Sequence, residues 1–196
     1  MPYDPFKHHR RSIRLKDYDY TQPGGYFVTI CTQNRACLFG ELSDCEMSLN
    51  KAGQMVNDTW HSLPNRFLSV QLDAYIIMPN HVHGIILITD EKQSVVGATL
   101  VVAQDRAGTR PAPTEGNIIR SSLGQIIGAF KSMTTHQYAL GVREYRWAPF
   151  NRRLWQRNYY ESIIRDERAI NAIRTYIQAN PYNWVDDPDN PKNLQP

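Results

Sequence analysis

VQLDAYIIMPNHVHGIILIT, residues 70–89, holds two apolar runs, 70–78 and 81–89, separated only by Pro79-Asn80. Each run has the length of a strand, and Pro-Asn suits a tight turn, so the segment predicts an antiparallel hairpin. Upstream, YFVTICT at 26–32 follows Pro23-Gly24-Gly25 and is β-branched and aromatic, which predicts a first strand. Between them, residues 50–63 carry Met55, Val56, Trp60 and Leu63 on a helical stripe that Pro64 ends. Downstream, residues 91–117 lose all periodicity and finish in a Gly, Pro and Thr cluster, as an exposed insertion does; residues 95–103 within it are compatible with a small extra hairpin. Ile119, Leu123, Ile126, Ile127, Phe130 and Met133 then mark a second amphipathic helix, and residues 152–164 read as a strand. Asp166 is placed to cap a third helix running to Asn180, where Pro181 stops it. The order β, α, β, β, α, β, α is that of an α+β ferredoxin-like sandwich, an antiparallel sheet with helices on one face.

The chain has 196 residues, enough for one core without disulfides, and its 41% hydrophobic content is that of a globular protein. The division expected is a basic arm at 1–20, a domain at 21–184 and a tail at 185–196. Cys31, Cys37 and Cys45 form neither a CxxC metal pattern nor an even set, and read as reduced thiols of a cytosolic protein. No apolar run is long enough for a secretion signal or a bilayer span, so a soluble, intracellular protein is expected.

Two constellations carry chemistry. In Pro79-Asn80-His81-Val82-His83-Gly84 strand alternation turns His81 and His83 to one face and Val82 to the other. Two such imidazoles can hold one divalent ion, or simply pair with neighbours. In Tyr176-Ile177-Gln178-Ala179-Asn180-Pro181 the tyrosine and Asn180 stand four residues apart on a helix, beside the stripe of Ile170, Ile173 and Ile177. They would lean toward the sheet, there either to pack and cap the helix or to join the histidines. Together these are the parts for phosphodiester transesterification. Neutral His81, neutral His83 and the Asn180 carbonyl would hold a cation against the phosphate, and Tyr176 would attack phosphorus. No cluster of carboxylates stands out to activate water, which favours transesterification over hydrolysis.

At these residues the chain resembles the HUH single-tyrosine transposases, in particular the REP-associated tyrosine transposases of bacteria. IIMPNHVHGIIL at 76–87, LWQRNYYESIIRDE at 154–167, YIQANP at 176–181 and SIRLKDYDYTQPGGYFVTICTQNR at 12–35 carry the resemblance. It implies a ferredoxin-like fold in the bacterial cytoplasm whose His pair binds Mg²⁺ or Mn²⁺. It also implies Tyr176 as the nucleophile, yielding a 5′-phosphotyrosine and a free 3′-OH, and a monomer, with a dimer, as in the insertion-sequence relatives, the alternative. Related insertion-sequence enzymes have Gln as third ligand where Asn180 stands here, with the same carbonyl on a shorter stem. The substrate implied is a single-stranded DNA hairpin with a guide sequence beside it. Tyr159 and Tyr160 are competing nucleophiles.

Residues 143–174 hold eight arginines against four acids, interleaved with aromatics. Forked guanidinium contacts to phosphate and stacking on unpaired bases are the means of single-strand binding. The residues expected to grip DNA are Arg10, Arg11, Arg14 and Lys16 of the arm, with Arg152, Arg153, Trp155, Arg157 and Tyr159. The same fold class also hosts non-catalytic single-stranded nucleic-acid-binding modules, and a His pair also serves small metallohydrolases. Those are the alternative readings.

Overall fold

The computed structural model describes residues 15, 18–90 and 121–193. The insertion at 91–117, its middle at 95–103 and most of the basic arm lie outside them. Four strands form an antiparallel sheet in the order β4-β5-β1-β6: β1 is Gly24–Cys31, β4 Val70–Ile77, β5 His81–Ile88 and β6 Tyr160–Ile164. The expected hairpin is β4–β5, with Ile77 opposite Val82. Strand β1 then lies antiparallel to both β5 and β6, which completes the ferredoxin-like arrangement.

Period-2 alternation divides the sheet into two faces. On one, Tyr26, Val28 and Ile30 of β1 join Val82, Ile86 and Ile88 of β5 in the main core. Helices α1 (Lys51–His61) and α3 (Leu123–Tyr145) cover it with Val56, Trp60, Ile126, Ile127 and Phe130. Gly84 belongs to this face, and a side chain there would collide with the Trp60 indole, so the glycine is what lets α1 lie flat on the central strand. A one-turn helix, α2 (Leu63–Arg66), leads from α1 into β4. On the other face Phe27 and Ile85 pack with Ile177 of α4 (Glu167–Ala179).

The α+β sandwich is thus as expected, but its helices are not all on one face. Helices α1 and α3 take the large apolar face, whereas α4 takes the other. The apolar stripe of α4 is narrow, Ile170, Ile173 and Ile177, and matches the smaller patch made by Phe27, Ile76 and Ile85. An ion pair fixes the seat: the Arg174 guanidinium donates to both oxygens of Asp73, at 2.8 and 2.5 Å, and Asp73 lies within the register shift of β4 between Leu72 and Tyr75.

Three other elements differ from the reading. A hairpin, β2 (Gly40–Ser43) and β3 (Glu46–Leu49), was hidden by its polar composition; Asp44 and Cys45, with φ 50° and 60°, make its two-residue turn. Helix α3 runs on to Tyr145, because after Met133 the face toward the core uses Thr134, Tyr138 and Gly141 rather than aliphatics. The strand expected over 152–164 is confined to Tyr160–Ile164. Leu154 and Trp155 are both buried, and two neighbours on a regular strand cannot enter one core. Among the described residues no helix is long and apolar enough to cross a membrane.

Candidate active site

Strand β5 presents His81 and His83 on the α4 face, opposite Cys31 and Thr29 of β1. Both rings are buried, with centroids 4.5 Å apart. Each is held through Nδ1. Thr29 Oγ1 lies 2.8 Å from His83 Nδ1, and Asn80 Oδ1 lies 2.9 Å from His81 Nδ1. The Nε2 atoms are left for the site: that of His83 is 3.4 Å from the Tyr176 hydroxyl, and that of His81 is buried without a hydrogen-bond partner.

The seat of α4 determines where Tyr176 goes. With Ile177 in the small core, the preceding side chain emerges beside the histidines, its ring 5.2 Å from His83 and edge-on to Phe27 at 6.0 Å. It remains 45% exposed, so the hydroxyl is reachable from a cleft of about 380 Å³ that Phe27, Thr29, Cys31, His83, Tyr160 and Asp189 also line. Asn180 caps the helix, is 1% exposed, and has a buried Oδ1 with no partner. Its amide neighbours both His81 and the Tyr176 hydroxyl. His81, His83, Tyr176 and Asn180, chosen from two distant stretches of sequence, are therefore side by side.

Sequence reasoning missed an acid here. Residues 185–193, set apart as tail, fold back across the pair: Trp184 lies 5.9 Å from the His81 ring, and Asp187 is 6% exposed. One ligand atom from each of His81, His83 and Asp187 lies within 4.8 Å of the others. No carboxylate cluster stood out in the sequence, and the structure brings one carboxylate, Asp187, to the pair. Its trace in the sequence is Asp186-Asp187-Pro188-Asp189, a run of acids soon after the tyrosine helix, which composition alone marks as a solvated turn. Here the turn is tied down. Asn190 and Asn193 amides donate to the carbonyls of Trp184 and Asp187, and Arg35 donates to Asp189 at 2.7 Å.

These donors fit a divalent cation. Two neutral imidazoles, an orphaned amide oxygen and a carboxylate converge, and without a cation a buried lone pair such as that on His81 Nε2 or Asn180 Oδ1 costs about 1–3 kcal/mol. Burial, and then the neighbouring His81, pushes His83 down to about 2. His81 is lowered too, burial outweighing the attraction of Asp187 and Asp189. Both rings are consequently free of their extra proton, as ligation requires. The Tyr176 phenol is raised, chiefly by burial and then by the negative charge of Asp187.

A pH dependence follows for metal-free protein. In the unfolded chain each histidine titrates near ~6.5. Below that pH the unfolded state takes up protons the folded state refuses. Stability is thus fully present above about 6.5 and is lost as pH falls toward the depressed folded values. Denaturant titrations in chelator should show a loss approaching roughly 1.4 kcal/mol per pH unit for each ring, absent in the H81A/H83A variant. Equal slopes in the two proteins would contradict the burial of the pair.

The other expected residues are distributed as follows. Tyr160 is exposed on β6 opposite Thr29, one strand away from the pair. Tyr159 is half-buried against the core with the Lys131 ammonium 5.4 Å above its ring. Trp155 is not on the surface: it is 4% exposed, packs on Phe39 and Phe130, and donates its indole N–H to Thr134 at 2.8 Å. Its expected contact with DNA gives way to a place in the core. Arg152, Arg153 and Arg157 are exposed and line a groove of about 470 Å³ with Lys131 and His136. Gln156 borders both this groove and the tyrosine cleft. Arg10, Arg11, Arg14 and Lys16 lie outside the described residues.

Comparison with known proteins bears on the whole chain. No protein-family model matches it. A Haemophilus influenzae protein, itself uncharacterized, is 42% identical over 183 residues, covering 92% of each chain. The chain belongs to that protein's family. Among solved structures it is similar to a REP-associated tyrosine transposase bound to a REP hairpin, with a TM-score of 0.54 and 15% identity over 89% of this chain and 74% of that one. The two share a fold, and the fold class expected from the family resemblance is therefore the one observed. This chain thus presents a buried two-histidine cluster with a carboxylate on a fold that it shares with that transposase.

Proposed function

We propose that this protein cuts and rejoins single-stranded DNA through a covalent phosphotyrosine, as a REP-associated tyrosine transposase. The observation that carries the reading is the Tyr176 hydroxyl 3.4 Å from Nε2 of a histidine whose partner imidazole, amide and carboxylate form a cation site. A phenol used only for packing has no need to enter such a cluster.

In this mechanism His81, His83 and Asp187, with the Asn180 carbonyl, would hold Mg²⁺ or Mn²⁺. When bound, the cation would supply Lewis acidity toward the phosphate and would offset the Asp187 charge, which after burial is what raises the phenol. Tyr176 Oη attacks phosphorus as the P–O3′ bond breaks. The phenolic proton is lost and the leaving 3′-oxygen takes one up, giving a 5′-phosphotyrosine and a free 3′-OH. Because the phosphoester is conserved, a 3′-OH attacking the same phosphorus reverses the step without ATP. Asn180 hydrogen-bonds the phenolate oxygen and steadies it, consistent with its lowering influence on that group. With Tyr176 beside His83 of its own chain, a monomer is the favoured form in this reading and a dimer the alternative.

The strand would reach the cleft along the groove of Arg152, Arg153 and Arg157, passing Gln156. A duplex hairpin with a single-stranded guide beside it fits this division, and the neighbour of known structure was solved with a REP hairpin. Labelled hairpin DNA incubated with full-length protein and Mn²⁺, then run on a denaturing gel, should give a shorter 3′-OH fragment and a protein-linked fragment in equal amount. Cleavage without a protein-linked strand would mean a metallohydrolase, and binding without cleavage a nucleic-acid-binding module.

A further inference from the structure

We propose that Asn80 is a positioning residue that sets the tautomer of His81 and at the same time fastens the Asp187-bearing segment over the histidine pair. This rests on reading His81 as a metal ligand, and it assigns a task to the residue next to the pair that neither the fold nor the comparisons assign.

Asn80 is fully buried in the β4–β5 turn. Its Nδ2 donates to two backbone carbonyls, that of Arg35 at 2.9 Å and that of Asp189 at 2.7 Å. Those two bonds use both of its protons and leave no freedom to flip, since a reversed amide would set an oxygen against two carbonyl oxygens. Oδ1 is therefore the atom facing His81 Nδ1 at 2.9 Å, and an amide oxygen only accepts. The proton of neutral His81 must sit on Nδ1, so Nε2 carries the lone pair. Nε2 is the buried atom with no hydrogen-bond partner, on the side of Asn180 and Asp187.

The same two donated bonds have a second consequence. Arg35 belongs to the turn after β1, and Asp189 lies two residues beyond Asp187; the Arg35 guanidinium donates to Asp189 Oδ1. One amide thereby joins three separate segments around His81. Thr29 stands in the matching place for His83, but a hydroxyl both donates and accepts, so it does not dictate the ring's tautomer. The asymmetry makes Asn80 the residue that determines which nitrogen His81 offers. Outer partners of this kind are worth roughly 10- to 100-fold in metal affinity.

The test separates tautomer from fastening and from catalysis. On full-length, metal-free protein at neutral pH, ¹H–¹⁵N correlation through the imidazole rings should show His81 protonated at Nδ1. Finding the proton on Nε2 would overturn the proposal without any variant. Asn80→Asp keeps an acceptor for Nδ1–H but loses both donated bonds. It should retain the tautomer while Mn²⁺ binding, read by electron paramagnetic resonance without DNA, weakens about 10-fold or more. Asn80→Ala removes both functions and should yield mixed tautomers with weaker binding still. Unchanged Mn²⁺ affinity in both variants would also overturn it. A failure of DNA cleavage with the tautomer and affinities as stated would count against the proposed function instead.

Discussion

Tyr176→Phe should leave the protein folded and able to bind hairpin DNA, and should remove both strand cleavage and the protein–DNA adduct, a loss of at least about a thousandfold in rate. The side chain has two separable parts. Its ring packs against Phe27 and His83, and phenylalanine preserves those contacts. Its hydroxyl makes a long 3.4 Å contact with His83, so removing it changes stability by no more than about 1 kcal/mol. Because burial and Asp187 raise the phenol, the rate of the parent protein should climb with pH through the neutral range. Tyr160→Phe should cut and form the adduct at a rate close to that of the parent protein. An adduct that survives in Tyr176→Phe and disappears in Tyr160→Phe would transfer the nucleophile to β6.

The second large effect concerns the cation. Chelation should abolish cleavage, and Mn²⁺ should restore it. H81A/H83A should lose Mn²⁺ binding by more than about 100-fold, beyond what outer partners of a metal site cost. Asp187→Ala should weaken binding while leaving the histidines in place, because its segment remains held through Asn190, Asn193 and Arg35. Calorimetry without DNA measures all three proteins. Undiminished Mn²⁺ affinity in the double variant would remove the metal site, whatever its effect on cleavage.

What the sequence revealed of this site follows from what each residue depends on. His81 and His83 were legible because strand alternation is local: once 81–89 is a strand, their common face is settled. Tyr176 and Asn180 were legible as helix neighbours for the same reason, and Asp166 as a cap. Which face of the sheet α4 chooses is not local. It depends on the match between the Ile170, Ile173 and Ile177 stripe and the smaller of two apolar patches, and on an Arg174–Asp73 pair 101 residues apart in the chain. Asp187 was invisible for a related reason. An Asp-Asp-Pro-Asp run looks like an exposed turn until Asn80, Arg35 and two asparagine amides fold it over the histidines. Trp155 shows the opposite error. Arginines on either side made it look like a stacking platform, whereas the neighbouring Leu154 is buried as well and both residues serve the core.

The central claim is that one tyrosine hydroxyl and one two-histidine cation site act on the same phosphate. Its most direct measurement is mass spectrometry of the proteolysed adduct formed with hairpin DNA and Mn²⁺. The expected product is a nucleotide 5′-phosphate on the peptide containing Tyr176, absent when chelator replaces the metal. A modification on Tyr159 or Tyr160, or cleaved DNA with no modified peptide, would contradict it.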